Sequence, residues 1–267
     1  MAASVFREGL LAGQVAVVTG GGSGINLTIA ERLAEHRAKV ALIGRTQEKL
    51  DAAVRKIEAA GGTAIGLSAD VRDYARMEGV LAEVRRHFGA IDIVVCGAAG
   101  NFPAPAMGMS ANGFKAVIDI DVLGTFNTLR AVHQHLRKPG ASIVNISANQ
   151  ASAPMAFQSH VCTAKAGVDM ITRTLAIEWG PEGVRLNSVA PGPTDDTEGM
   201  RRLAPTAEAR AHVEKNVPLR RMGTKDEIAD LVLFLCTPAA AYIHGAVLVC
   251  DGGQQLLGGG TLTAAFG

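Results

Sequence analysis

Aromatic residues are scarce, at 4% of 267 residues, with one tryptophan and two tyrosines, Tyr74 and Tyr242. Cysteine is scarcer: Cys96, Cys162, Cys236 and Cys250 lie far apart, without the CxxC spacing of a zinc or redox site. A chain this long buries about three quarters of its unfolded surface, so it needs no disulfide framework, and reduced core thiols are expected. An excess of one charge is missing too. The 26 Lys and Arg against 25 Asp and Glu leave +1, which argues against a nucleic-acid surface. Two uncharged runs, 93–114 and 141–159, are broken by Pro, Asn, Gln and Gly. They read as buried strands entering loops, so no membrane insertion is expected. The opening MAASVFREGLLAG has no signal-peptide core, and no His, Cys or Asp cluster has metal-ligand spacing. These absences point to a soluble intracellular protein without a metal.

What is present is glycine, 31 residues of it, and a regular rhythm. Nearly continuous apolar runs at 14–19, 39–43, 63–67, 91–96, 142–146, 185–189 and 246–249 are expected as strands covered on both faces. Helix-period segments at 25–36, 47–60, 75–88, 111–136, 158–178 and 225–236 fit between them, and Asp226 and Glu227 suit the first turn of the last. The alternation predicts βαβ crossovers and a Rossmann-type, doubly wound α/β fold of about seven parallel strands, with helices on both faces. No repeat or linker interrupts it, so residues 1–267 are read as one domain. The stretch 192–217 breaks the rhythm on the carboxyl edge of the sheet, where it is either a substrate lid or a passive loop. The tail 252–267 is uncharged and glycine-rich, and either covers a subunit contact or frays.

The first strand runs into Gly20-Gly21-Gly22-Ser23-Gly24-Ile25. So glycine-rich a turn before a helix lets the N–H groups of Gly20, Gly22, Ser23, Gly24 and Ile25 approach a pyrophosphate, with the helix N-terminus adding favourable charge. Its GxxxG spacing is not the GxGxxG fingerprint. At the end of the second strand, Gly44 leaves no acid in the way. Arg45 is then either a partner for the 2′-phosphate of NADPH or a solvated cap residue. Asp70 suits the adenine amino group, or else caps the helix starting near Tyr74.

These residues make the chain resemble the short-chain dehydrogenase/reductase family over almost its full length. The family's TGxxxGxG looks like Thr19, Gly20 and Gly24, with Asn26 in place of the last glycine. Its Asp-Val is similar to Asp70-Val71, its Asn-Asn-Ala-Gly to Cys96-Gly97-Ala98-Ala99-Gly100, and its proline-glycine turn to Pro191-Gly192. Its GxxxxVDGG resembles Gly245 with Val249-Cys250-Asp251-Gly252-Gly253. The resemblance implies that Val71, Lys165, Pro191 and Gly192 also hold the cofactor, and that the protein is a homotetramer. The catalytic set departs from the pattern. The tyrosine of YxxxK is Val161 before Lys165, the serine position is Ala148, and the asparagine of the long helix is Asp121.

One branch of the family, the peroxisomal-type 2,4-dienoyl-CoA reductases, is similar at these altered places. Ala98-Ala99-Gly100-Asn101-Phe102, Asp119-Ile120-Asp121, His160-Val161-Cys162-Thr163-Ala164-Lys165 and Ala190-Pro191-Gly192-Pro193 with Thr197-Glu198-Gly199 carry that likeness. The chain ends Ala264-Ala265-Phe266-Gly267 instead of a Ser-Lys-Leu-like signal, so a bacterial, cytoplasmic relative is expected. The resemblance implies NADPH-dependent reduction of a 2,4-dienoyl-CoA thioester to the 3-enoyl-CoA. In that reading Asn101 donates to the thioester oxygen, Lys165 binds the nicotinamide ribose and Asp121 orients or protonates a water. Phe102, Phe157, His160 and Gly199 then meet the substrate. Alternatives stay open: Asp121 as an ion-pair partner of Lys165, Asn101 as a loop cap, and Phe102, Phe157 and Met155 as core. His160 lies five residues before Lys165, about 140° round a regular helix, so the two do not share a face. Another NADP(H)-dependent enoyl-thioester or carbonyl reductase, or an inactive dinucleotide-binding protein, is the competing function.

Overall fold

The computed structural model describes residues 5–259. Its strands are β1 Val15–Thr19, β2 Lys39–Gly44, β3 Thr63–Ser68, β4 Ile93–Cys96, β5 Ser142–Ile146, β6 Arg185–Pro191 and β7 Val247–Cys250. They form one parallel sheet in the order β3-β2-β1-β4-β5-β6-β7. β1 and β4 are buried at every position, which is why their sequences are continuously apolar instead of alternating. Thr19 pairs with Ile43 on one side and Cys96 on the other, so three carboxyl ends lie level. The strand order reverses between β1 and β4, and that is where open α/β sheets leave a crevice for a ligand.

The helices are α1 Gly24–Glu35, α2 Gln47–Ala59, α3 Tyr74–Phe88, α4 Ala111–Ile118, α5 Gly124–Val132, α6 Ser159–Trp179, α7 Glu198–Leu203, α8 Ala207–Lys215 and α9 Lys225–Leu235. Alternate residues of β1 feed two cores. Ala16 and Val18 pack with Ile29 and Leu33 of α1, Leu50 and Ile57 of α2 and Val232 of α9. Val15 and Val17 pack with Met77 and Leu81 of α3, Leu129 of α5 and Leu175 and Trp179 of α6. Helices thus cover both faces of the parallel sheet, as the doubly wound expectation requires. Asp226 and Glu227 occupy the first turn of α9, where Thr224 and Glu227 complete a reciprocal capping box. No helix among the described residues is long and apolar enough to cross a membrane.

One stretch differs from the sequence expectation. The helix expected over 111–136 is broken into α4, a π turn at Asp119–Leu123, α5 and a 3₁₀ turn at His133–His135. The extra residue of the π turn is held from outside the helix, because Asp121 accepts from the Gly100 N–H at 2.7 Å. Directly after it, a Cβ on Gly124 would collide with Val71, so the helix restarts hard against the β3–α3 loop. The irregular 192–217 stretch contains α7 and α8, each started by a threonine whose hydroxyl accepts from the backbone three residues on (Thr197 from Met200, Thr206 from Ala209). The thiols also divide. Cys96 and Cys236 are buried, and burial pushes each up to about 12, while Cys162 and Cys250 are only half-buried. The end of the glycine-rich tail, residues 260–267, lies outside the described residues.

Candidate active site

The β1–α1 turn closes with two glycines in the left-handed region, Gly20 at φ 70° and Gly24 at φ 59°. L side chains are strained there. Ser23 is the N-cap of α1, yet its hydroxyl makes no capping bond and no acid occupies the first turn. The opening N–H groups of α1 are therefore left without a side-chain acceptor and suit an anion. Asn26, where the family pattern has glycine, donates to the Gly97 carbonyl at 2.7 Å and ties this turn to the end of β4. Thr19 adds a second tie, its hydroxyl accepting from the Gly97 N–H at 3.1 Å.

A cleft of about 280 Å³ opens over this turn, lined among others by Gly20, Gly22, Ser23, Arg45, Asp70 and Val71. A Cβ on Gly20 or Gly97 would press into the Asn26 side chain, so the glycines keep the cleft floor open. Arg45 is exposed at the rim and makes no ion pair among the described residues. Lys49, in the first turn of α2, lines the same cleft. Sequence reasoning missed it because the strand-end rule looks only at the residue after β2. The cleft thus combines open backbone donors with two cations, Arg45 and Lys49, which fits a dinucleotide. Asp70 is not the helix cap, since Asp73 caps α3 by accepting from the Arg76 N–H. Arg72, at 2.6 Å, holds the Asp70 carboxyl below the usual carboxylate range.

Beyond Ser23, Asn26, Gly97 and Ala99, which line both spaces, the cleft continues into a cavity of about 570 Å³. Its walls include Gly24, Ile25, Asn101, Ala148, Val161, Lys165, Pro191, Gly192 and Gly199. Val161 and Lys165 are one turn apart on α6, so they share its cavity face. Val161 and Ala148 make the wall apolar where the family pattern has a phenol and a hydroxyl. The Lys165 ammonium is buried, 3.0 Å from Asp121 and donating to the Ile146 carbonyl at 3.0 Å. Asp121 is 1% exposed and lies behind the wall, its other oxygen taken by Gly100. Both of its oxygens have protein partners, which favours the ion-pair reading over water delivery.

Asp169, a turn beyond Lys165 on α6, was not singled out from the sequence. It is buried behind the wall against the Ser147 and Ser188 hydroxyls, and burial pushes its carboxyl up. The i,i+4 spacing from Lys165 was the available signal. Of the expected substrate contacts, Asn101 and Gly199 reach the cavity wall. Phe102, Phe157 and His160 are not brought to it. His160 is fully buried and packs against Phe102, the rings tilted by 43° with centroids 4.5 Å apart. It is the second residue of α6, one before Val161, so it points away from the face that Val161 and Lys165 share. Phe157 is 61% exposed at φ 65°, its carbonyl accepting from Ala104. Met155, by contrast, does line the cavity.

The family model described as enoyl-(acyl carrier protein) reductase matches residues 20–255. The peroxisomal 2,4-dienoyl-CoA reductase [(3E)-enoyl-CoA-producing] of Danio rerio is 44% identical over 94% of this chain and 85% of its own. Among solved structures, the citronellol catabolism dehydrogenase of Pseudomonas aeruginosa PAO1 superposes with a TM-score of 0.84 at 36% identity, covering 94% of this chain and 99% of that one. A gluconate 5-dehydrogenase of Burkholderia cenocepacia J2315, in complex with NADP and tartrate, gives 0.87 at 31% identity over 92% and 96%.

Proposed function

This chain belongs to the short-chain dehydrogenase/reductase family and is closely related to its peroxisomal 2,4-dienoyl-CoA reductases, and from that premise we propose that it reduces 2,4-dienoyl-CoA thioesters to 3-enoyl-CoA with NADPH. The observation that carries this reading is the wall at Val161 and Ala148. It offers no acid to a simple carbonyl, yet it keeps a carboxamide, Asn101, and a buried ammonium, Lys165, facing the same cavity.

Bound in the cleft, reduced nicotinamide supplies a hydride to the distal carbon of the diene. The electron pairs then shift toward the thioester: the outer double bond becomes the β,γ bond and negative charge collects on the thioester oxygen. The Asn101 N–H donates to that oxygen as charge develops, the kind of contact whose removal costs about 10²–10³ in rate. Lys165 holds the nicotinamide ribose and contributes positive potential, and Asp121 keeps its ammonium in place. A water in the cavity gives its proton to the α-carbon. One hydride and one proton are thus consumed for each 3-enoyl-CoA formed.

Preference for NADPH over NADH follows from Arg45 and Lys49 at the rim of the cleft. The segment 192–217 acts as the lid of the cavity, to which it contributes Glu198, Met200, Leu203 and Val213. Leu123, Phe126, Met170 and Ile177 are exposed on the face that carries α5 and α6. They supply apolar surface for the homotetramer, which otherwise rests on likeness to the family. The deciding assay pairs 2,4-decadienoyl-CoA with a 3-ketoacyl-CoA of equal length, following NADPH oxidation and the product by mass spectrometry. Turnover of the dienoyl thioester alone is expected. Turnover of the ketoacyl thioester alone would assign a carbonyl reductase, and binding of NADPH without either turnover would assign an inactive binding protein.

A further inference from the structure

Behind Asn101 stands a side chain that the mechanism has not used. Gln158 is 1% exposed and is the N-cap residue of α6, but its carboxamide makes no capping bond to that helix. Instead its Nε2 donates to Asn101 Oδ1 at 3.1 Å, while its own Oε1 accepts from Gln150 Nε2 at 3.2 Å. The three carboxamides form a chain with one direction, from Gln150 through Gln158 to Asn101. Gln158, the middle member, accepts at its oxygen and donates at its nitrogen. With Oδ1 occupied, Asn101 is left with its NH₂ as the free end of the chain, and that NH₂ has no protein acceptor among the described residues. The Asn101 backbone is held separately, its carbonyl accepting from Arg202 of α7 at 3.1 Å.

A carboxamide is nearly symmetric in shape but not in polarity. Half a turn about its last torsion would present a carbonyl oxygen where a donor is needed, and two negative oxygens would then face each other as charge develops on the thioester. Packing alone cannot tell the two orientations apart; a hydrogen-bond partner can. We propose that Gln158 is the positioning residue of the site: it fixes the rotation of the Asn101 carboxamide so that an N–H, not a C=O, meets the thioester oxygen. This rests on the reading of Asn101 as the oxyanion donor.

Gln158→Glu reverses the polarity at one point. As a carboxylate it can only accept, so Asn101 turns its NH₂ toward residue 158 and its oxygen toward the substrate. At pH 8, kcat with 2,4-decadienoyl-CoA is expected to fall by about 10²–10³, as for loss of an oxyanion donor, with KM for the thioester and Kd for NADPH close to wild type. Protonation restores an O–H donor to Asn101. The buried carboxyl titrates above its ordinary range, so kcat of this variant, relative to wild type, is expected to rise as the pH is lowered toward 6. A structural role would not produce that rise. Gln158→Met, neutral and of similar length, keeps the test open if the carboxylate prevents folding. It is expected to lower kcat by about tenfold, and to cost nothing further when added to Asn101→Ala, because positioning acts only through Asn101. If Asn101→Ala lowers kcat while both Gln158 variants match wild type at every pH, the positioning role is wrong and the Asn101 reading stands. If Asn101→Ala itself turns over like wild type, the reading beneath the proposal fails, and the proposal with it.

Discussion

Arg45 and Lys49 line the cofactor cleft and neither is spent on an ion pair among the described residues, so both remain available to a phosphate. A charge-assisted hydrogen bond is worth about 1.5–3 kcal/mol. Arg45→Ala should therefore weaken NADPH binding by roughly 10- to 150-fold while leaving NADH affinity nearly unchanged, and adding Lys49→Ala should narrow the preference further. Titrating both dinucleotides against each variant checks this, and equal affinities in the wild-type protein would contradict the assignment. Asp121 poses a different question, because its two oxygens are already taken by Lys165 and by the Gly100 N–H. Removing one partner of a buried pair is costly, by about 3–5 kcal/mol when nothing replaces it. Asp121→Asn should thus lower thermal stability and NADPH affinity together. A fall of about 10²–10⁴ in kcat with unchanged stability and cofactor affinity would instead identify a proton-delivery role.

Among the elements, the capping box of α9 is a local device with a readable cost. The Glu227 carboxylate is drawn down to about 2, chiefly by Arg221, while it also accepts from the Thr224 N–H. Its folded value lies below the unfolded one, so this contribution is present above the ordinary carboxylate range and is lost as pH falls through about 2. Thr224→Ala removes the reciprocal bond and should cost about 1 kcal/mol, a fall of about 2–4 °C in Tm for a chain of this size. Differential scanning calorimetry at neutral pH checks it. The acidic first turn of this helix, Asp226 and Glu227, was visible in the sequence because it is a purely local pattern. The π turn at Asp119–Leu123 was not. It depends on an N–H from the β4 loop and a lysine from α6, partners that helical periodicity over 111–136 cannot register. His160 was read both as a substrate contact and, from its spacing, as lying off the Lys165 face, and the structure agrees with the spacing. Its place in a motif puts it near Lys165 along the chain, while the helix turns it away toward Phe102.

For the whole molecule, the strands were the most legible feature, because burial on both faces of a parallel sheet leaves uninterrupted apolar runs. The crevice followed from the glycines at 20–24 and the strand order. Less legible was the layer behind the site, where Gln158 meets Asn101 and Asp169 meets Ser147, partners from different segments brought together only in the folded state. Asp169 also links that layer to global stability. Burial holds its carboxyl above the ordinary range, so its contribution is fully present below the unfolded value and is lost as pH rises through the folded one. Asp169→Asn removes this titration. Its Tm relative to wild type should increase as pH is raised from about 4 to 8, followed by thermal unfolding in matched buffers; a difference that does not change with pH would contradict the assignment.

Reduction across a conjugated system without a phenolic acid is tested most directly by isotope placement. With 2,4-decadienoyl-CoA and NADPH in deuterated water, the product should be 3-enoyl-CoA with one solvent deuterium at the α-carbon. Deuterium carried at the reactive position of NADPH should appear only at the carbon that was the distal end of the diene. Solvent deuterium at the γ-carbon in a 2-enoyl product, or no label in any reduced thioester, would contradict it.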